Sequence, residues 1–194
     1  MIDNFHEEVA TKQNKTFNNL AYGMVWVSIV LFGIIGMMGL SALMALNFTV
    51  PAVIQTVLFG GIAVLLYLKR DNLRVEYDYT FTNGDLDVAK VFGNSKRKLM
   101  TSMKSQTVEA AGMVSDKSFD KMLNDKSIKK HNWFVNREAN LSWFYFVKKN
   151  ERGETVKHCI ILELSDEMLT MLKPYLKFGV WQGEKSITGA ELAR

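Results

Sequence analysis

The residue types that most often carry chemistry are few and scattered in this chain. Its three histidines and its single cysteine are His6, His131, His158 and Cys159. Their positions do not match the ligand spacing of a zinc site, and no nucleophile elbow, zinc-protease motif or dinucleotide fingerprint occurs. Residues 179–186 resemble a phosphate-binding loop only loosely, because Glu184 precedes the lysine and no strand is predicted before them. The sequence therefore predicts no catalytic residue, no metal, no cofactor and no small-molecule substrate.

The lone Cys159 cannot form a disulfide within the chain. A domain without disulfides fits a reducing compartment such as the cytoplasm. Cys159 is followed by the apolar residues Ile160, Ile161 and Leu162, and free cysteine is among the most buried residue types. Burial as a small apolar side chain is one interpretation of Cys159, and oxidation sensing is the other.

Two groups of basic residues are candidates for contact with an anionic membrane surface. The first group is Lys69, Arg70 and Arg74, and the second is Lys96, Arg97 and Lys98. Each Lys or Arg close to an anionic leaflet contributes up to about 1 kcal/mol. A solvated turn is the alternative for the second group. We expect no nucleic acid binding, because no stripe of basic and aromatic residues runs through the chain.

One predicted strand, at residues 141–147, carries large apolar side chains on both faces. A sheet with one solvated face needs apolar residues on the other face only. Either a helix covers the second face, or that face is a patch for a protein partner. The residues of this predicted partner patch are Trp143, Phe144, Tyr145 and Phe146.

The elements that must position these residues begin with two uncharged apolar segments, at 20–46 and 51–68. About 20 helical residues cross a hydrocarbon core of ~30 Å, so residues 20–68 are predicted to form a transmembrane hairpin. Two helices are too few to enclose a transport pathway in one copy of the chain. We therefore expect an anchor in the cell membrane.

Charged and aromatic residues near the ends of the hairpin predict its orientation. Lys and Arg flank both apolar segments, and the loop between them has none, so the positive-inside rule places both termini in the cytoplasm. Tyr22, Trp26 and Tyr67 are expected to form an aromatic belt at the inner interface, with Phe48 at the outer one.

Small and polar residues predict how the two arms pack, and these are Gly33, Gly36, Gly39, Gly60, Gly61 and Gln55. Small side chains allow helices to approach closely. Packing within one hairpin is one interpretation of the glycines, and dimerisation is the other, so a homo-oligomer stays open. Gln55 is expected to find a polar partner such as Ser41, because it lies inside an apolar span.

Residues 1–19 precede the hairpin and are predicted to form a cytoplasmic segment with a short interfacial helix. Acidic residues come early in this segment and Lys12 and Lys15 come late, which suits a helix dipole. A disordered arm is the alternative.

A globular domain is predicted over residues 73–176. From Val75 to Phe81 apolar and polar residues alternate, and Asn83-Gly84 is a strong hairpin-turn signal. Further strands and two helices are expected at 86–114, 116–130, 133–135, 141–147, 156–164 and 165–176. Pro174 should end or kink the last helix. Residues 177–194 are predicted to be a flexible tail, with Trp181 docked on the domain.

The segment from Tyr77 to Val88, placed directly after two spans, resembles the bacterial membrane-anchored PH-like proteins. The resemblance implies an α+β membrane protein with an N-terminal two-helix transmembrane hairpin and a cytoplasmic PH-like bent β-sheet or barrel with a C-terminal helix. It brings no catalytic residues. It implies a non-enzymatic module that binds a protein partner or scaffolds a membrane complex at the inner leaflet. Anionic-lipid sensing or lipid handling is the alternative, and an enzyme of unrecognised type is the third hypothesis.

Overall fold

The computed structural model describes residues 4–45, 48–93, 96–150 and 152–182. The described chain forms two compact units. One contains residues 12–75 and 92–96, and the other contains the remaining described residues.

The first unit is built on two long helices, α1 (Lys15–Met44) and α2 (Val50–Lys69). Asn14 caps α1 by accepting a hydrogen bond from the backbone N–H of Phe17, and Pro51 lies in the first turn of α2, where its missing N–H costs nothing. Both helices are long and apolar enough to cross a membrane, and only 11% of each apolar window is buried. The helices therefore expose apolar side chains on most of their surface.

Two glycines of α1 bring the backbones of the helices into contact. A Cβ on Gly36 would lie 2.8 Å from the backbone nitrogen of Gly60, and one on Gly39 would lie 2.7 Å from Oγ1 of Thr56. Open space surrounds the corresponding positions of Gly33 and Gly61. The two arms of one hairpin thus pack along part of the predicted glycine face.

The predicted contact between Gln55 and Ser41 is replaced by a contact within α1. The hydroxyl of Ser41 donates to the carbonyl of Met38, one turn earlier in the helix. Such back-bonding satisfies a hydroxyl in an apolar helix without a second helix. The side chain of Gln55 is half-buried.

The second unit begins with a four-stranded sheet in the order β1-β2-β3-β4. Its strands are β1 (Phe5–Ala10), β2 (Val75–Thr82), β3 (Asp85–Phe92) and β4 (Lys96–Lys104). Asn83 and Gly84 join β2 to β3 with φ angles of 49° and 100°, as a two-residue turn of type I′ requires. The alternating residues Tyr79, Phe81, Leu86 and Val88 are fully buried and form the inner face of this sheet.

The helix predicted within residues 1–19 is wrong over Phe5–Ala10, which form β1. This strand pairs antiparallel with β2, with Phe5 opposite Thr82 and Ala10 opposite Tyr77. Backbone pairing with a sheet edge outweighs the weak preference that charge order gives to a helix.

A second sheet of five strands has the order β6-β8-β7-β5-β9. Its strands are β5 (Val108–Met113), β6 (Ile128–Trp133), β7 (Ser142–Lys149), β8 (Thr155–Leu162) and β9 (Trp181–Gln182). β7 pairs antiparallel with β5 and β8, whereas β6 runs parallel to β8 and β9 runs parallel to β5.

Two short helices accompany the second sheet, α3 (Lys117–Asn124) and α4 (Asp166–Leu172). The Ser165 side chain caps α4 by accepting from the N–H of Met168, and a 3-10 turn that contains Pro174 follows the helix, as its sequence predicts. The predicted helix at 116–130 is too long, because Ile128 already belongs to β6.

The predicted domain limits of 73–176 are too narrow for the sheet unit. Residues 4–11 supply β1, and Trp181 and Gln182 supply β9. The rest of the predicted tail, residues 183–194, lies outside the described residues.

Candidate interaction site

The predicted partner patch on β7 is buried, so that prediction is wrong. Trp143 and Phe144 are 0% exposed and Phe146 is 5% exposed, while Tyr145 is half-buried. The ring of Trp143 lies 6.1 Å from that of Phe119 in α3, between ring centroids. On the opposite face, the Phe144 ring lies 6.3 Å from that of Trp181. Elements of the same unit thus cover both faces of this strand.

The first basic group lies among aromatic rings at one end of the helices. The Arg70 guanidinium carbon is 4.6 Å from the Trp26 ring centroid and 4.1 Å from that of Tyr67. The Arg74 guanidinium carbon is 3.8 Å from the Tyr22 ring centroid. Each such cation–π contact contributes ~0.5–2 kcal/mol, depending on its exposure to water.

Polar contacts hold the same arginines. Nη2 of Arg74 donates to Oδ1 of Asn19 at 3.1 Å, and Nε of Arg70 donates to Oδ1 of Asp71 at 3.3 Å. Lys69, the last residue of α2, is exposed. Arg70 and Arg74 therefore have fixed positions beside the three residues of the predicted aromatic belt.

The second basic group begins β4, and its three members are exposed. Arg97 nevertheless lies among acidic residues of its own unit. Its Nε is 3.3 Å from Oδ2 of Asp78, and its Nη2 is 3.7 Å from Oε1 of Glu7. Only Lys96 and Lys98 of this group are thus left for the predicted lipid contact.

A surface groove of about 350 Å³ lies beside α4, at the edge of the second sheet. Met113, Leu169 and Trp181 supply its apolar wall. Its polar lining residues are Asp116, Asp166, Thr170 and Lys173. No short motif marks this groove in the sequence, because its residues come from β5, the residue before α3, α4 and the turn after it, and β9.

Two polar groups of the groove are held by contacts within the chain. The Thr170 hydroxyl donates to the backbone carbonyl of Asp166 at 2.7 Å. The Lys173 ammonium lies 4.5 Å from the centroid of the Trp181 ring, which forms part of the wall. Neither group is presented as a nucleophile, whereas the two carboxylates give the groove an acidic side.

Phe178 projects from the loop that joins the turn after α4 to β9, and its side chain is 101% exposed. A β-turn from Lys177 to Val180 carries it, closed by the Val180 N–H donating to the Lys177 carbonyl. Gly179, at the third position of this turn, has a φ of 79°, which suits a type II turn. In the sequence, the pair Phe178-Gly179 is the feature that could have indicated an aromatic side chain at a turn.

His131 and His158 face each other on neighbouring strands of the second sheet. Nε2 of His131 and Nδ1 of His158 are 3.0 Å apart, and their rings stack between Trp133 and Phe146. Burial lowers the pKa of both imidazoles, and nearby lysines lower it further. One N–H can bridge the two facing ring nitrogens, whereas two positively charged imidazolium rings would repel each other.

Neither the cysteine nor the histidines form a metal site in the described part of the chain, where no three His, Cys, Asp or Glu residues are grouped as metal ligands. Cys159 is fully buried, and this burial raises the pKa of its thiol to about 11. A thiol with so high a pKa is a poor nucleophile at neutral pH.

Comparisons with known proteins identify the family. A family model described as a bacterial PH-like domain (DUF6106) matches residues 3–182. Neither the curated proteins nor the solved structures include a significant match. Two apolar helices followed by a β-sheet domain and a C-terminal helix fit a PH-like fold. Because the match covers nearly the whole chain, the protein belongs to this family of bacterial PH-like domain proteins.

Proposed function

We propose that this chain is a non-enzymatic membrane protein that anchors a protein-binding PH-like domain at the cytoplasmic face of the cell membrane. The observation that carries the proposal is the exposed apolar surface of α1 and α2. In each helix only 11% of the most apolar stretch is buried. Such a surface needs an apolar environment, which a bilayer provides.

The pairing of β1 with β2 supports a particular topology. β1 precedes both helices and β2 follows them, yet the two strands are neighbours in one sheet. A chain that starts and ends on the same side of a membrane crosses it an even number of times. Two spanning helices meet this condition, and the basic residues that flank them favour the cytoplasmic side.

The arginines beside the aromatic rings support an interfacial position for that end of the hairpin. Trp and Tyr rings favour the membrane–water interface, and guanidinium groups there attract anionic headgroups. Arg74, held over Tyr22 and bonded to the neutral amide of Asn19, combines the two properties.

The groove on α4 supports the binding role of the domain. It joins an apolar wall, formed by Met113, Leu169 and Trp181, to the carboxylates of Asp116 and Asp166. A concave surface that combines an apolar wall with charged groups can recognise a partner by both shape and charge. It takes the place of the buried residues of β7 as the proposed partner site.

Cysteine labelling in intact cells tests the anchorage. Single cysteines replace the exposed Phe48, which lies between the two helices in the sequence, or the exposed Lys126 of the sheet unit. We expect a membrane-impermeant maleimide to label position 48 from outside, and position 126 only after permeabilisation. The native Cys159 should stay unlabelled, because it is buried. Recovery of the protein in the soluble fraction, or equal labelling of both positions, would overturn the proposal.

Anionic-lipid sensing by the domain is a second candidate function. Lys96 and Lys98 are both exposed and, two residues apart on β4, point to the same face of the strand. Two cations on one face suit the surface of an anionic leaflet. We expect Lys96→Gln with Lys98→Gln to reduce the dependence of thermal stability on anionic lipid in nanodiscs, by up to about 1 kcal/mol for each charge, if the domain senses these lipids. No change in that dependence would exclude the two lysines as the sensor.

A further inference from the structure

An exposed aromatic side chain and an acidic groove lie on neighbouring segments of the same unit. Phe178 follows Lys173 by five residues and precedes Trp181 by three, and both of these residues line the groove. The turn that carries Phe178 is closed by the hydrogen bond between Val180 and Lys177, and Val180 is buried. The hydrogen-bonded turn and the buried Val180 therefore fix the backbone that carries the exposed Phe178 side chain.

Charge complements shape in this region. Lys177, next to Phe178, is exposed, whereas Asp116 and Asp166 line the groove. Within the described part of the chain, neither of these carboxylates takes part in an ion pair. A phenyl ring flanked by a lysine is thus the chemical complement of the groove.

We propose that Phe178 of one copy of this chain inserts into the groove of a second copy, and that Lys177 then faces Asp116 and Asp166 of that copy. In the proposed contact each copy inserts its Phe178 into the groove of the other, since the two features lie on neighbouring segments of one surface. The inference rests on the proposed partner-binding role of the groove and names its occupant.

Three features favour a second copy as the occupant. A volume of about 350 Å³ is in the range of pockets that enclose small ligands, so it has room for one phenyl group. A self-complementary patch produces a closed two-fold dimer, the commonest form of oligomer. Anchorage in one membrane would also raise the effective concentration of the copies.

An anionic bilayer is a poorer occupant for this groove, because its two carboxylates, Asp116 and Asp166, outnumber its one ammonium group, that of Lys173, and would repel anionic headgroups.

Photo-crosslinking tests the contact directly. The full chain, with a photoreactive phenylalanine analogue at position 178, is mixed with isotope-labelled copies that lack the analogue and is reconstituted in nanodiscs. We expect mixed-isotope crosslinks to peptides that contain Met113 or Leu169. Crosslinks to lipid only, to another protein only, or within one copy only would overturn the proposal.

Dimer affinity in detergent and nanodiscs gives the second readout. We expect Phe178→Ala to weaken the dimer at least about thirtyfold, as loss of a buried aromatic anchor does. Leu99→Ala is the matched control, because it also removes an exposed apolar side chain but lies on β4. Equal effects of the two variants would contradict the assigned contact.

A charge exchange separates this contact from a general loss of folding. Lys177→Asp and Asp166→Lys should each weaken the dimer, and the double variant should recover most of the affinity. If neither single variant differs from the native chain, or if the double variant is weaker than both, Lys177 does not face the groove.

Membrane fractionation of the same preparations tests the anchorage separately. A dimer formed by a protein in the soluble fraction would support this inference while overturning the proposed anchorage. A membrane-bound protein that stays monomeric at high density would overturn this inference and leave the anchorage intact.

Discussion

Two regions of the molecule hold arginines in different ways. At the end of the helices, Arg74 lies over the ring of Tyr22 and donates to the neutral amide of Asn19. In the sheet unit, Arg97 is within 4 Å of the carboxylates of Asp78 and Glu7. Arg70 is intermediate, because it lies over two aromatic rings but is also 3.3 Å from the carboxylate of Asp71. An aromatic ring and an amide leave the positive charge of a guanidinium largely uncompensated, whereas carboxylates neutralise it. Arg74 therefore keeps its charge for an external anion, and Arg97 uses its charge to join strands.

The number of basic residues alone does not define a membrane-binding surface, because acidic neighbours can neutralise some of them. Arg70, Arg74 and Arg97 have the same side chain and were predicted to play the same part. Their neighbours come from different strands and helices, and these neighbours determine whether the charge is available.

The largest expected effect is that of Arg97→Ala, which removes the cation beside Asp78. The Asp78 side chain is only 12% exposed, so its carboxylate would be left poorly solvated. Because Arg97 itself is about half exposed, we expect a loss of roughly 1–2 kcal/mol in the free energy of unfolding rather than the ~3–5 kcal/mol of a fully buried pair. Thermal and denaturant unfolding of the full chain in detergent measure it.

Lys98→Ala is the control for this prediction, because Lys98 is an exposed neighbour on the same strand. It should change the free energy of unfolding by less than about 0.5 kcal/mol. Equal losses for the two variants would remove the distinction between a paired and a solvated cation.

The loss caused by Arg97→Ala should also depend on pH. Burial raises the pKa of the Asp78 carboxyl, Arg97 opposes this rise, and Glu7 adds to it. A raised pKa means that the folded state holds the proton more tightly, so this group's contribution is full below the ordinary carboxyl pKa and declines as pH rises. Removing Arg97 raises the pKa further, so the stability loss should be larger at pH 7 than near about pH 4.

A smaller effect is expected for Arg70→Gln combined with Arg74→Gln. These changes should reduce the stabilisation of the protein by anionic lipid, by up to about 1 kcal/mol for each charge. Thermal unfolding in nanodiscs with increasing anionic lipid measures this dependence. Arg97→Gln should leave the lipid dependence unchanged. A reduction equal to that of the double variant would show that Arg97 is as available to anionic lipid as Arg70 and Arg74.

The smallest effect concerns the imidazole pair on the second sheet. Here the charged neighbours are cations, in contrast to the aromatic rings around Arg74 and the carboxylates around Arg97. Burial lowers the pKa of His158, and His131, Lys129 and Lys148 lower it further. A lowered pKa makes the contribution full above the ordinary histidine pKa, and it is lost as the pH falls toward the folded pKa. We expect His158→Phe to flatten the decline of stability between pH 7 and about pH 5. An unchanged slope in denaturant titrations would contradict this assignment.

The parts of the fold that the sequence predicts well depend on local patterns. The apolar composition of 20–46 and 51–68 is enough to predict α1 and α2, and Asn83-Gly84 marks the turn between β2 and β3. Gly36 and Gly33 show the limit of such patterns. They look equivalent in the sequence, but only Gly36 lies against the second helix.

The parts that the sequence does not predict depend on partners that are distant along the chain. β1 is a strand because β2 lies beside it, and the aromatic residues of β7 are buried because Phe119 and Trp181 cover its two faces. The groove likewise combines Met113 with Leu169 and Trp181, which no short motif connects. Local propensity carries too little information to predict such pairings.

The position of β1 before the two helices also sets an order for assembly. Its partner β2 is made only after the 64 residues between Ala10 and Val75, which include both helices. At ~5–20 residues per second, translation of that stretch takes several seconds, during which β1 has no strand to pair with. The first sheet is therefore completed only after the whole hairpin has left the ribosome. Pairing of β1 with β2 therefore marks the completion of the hairpin during synthesis. A fluorescent reporter at Phe5 or Val9 would record when this pairing occurs.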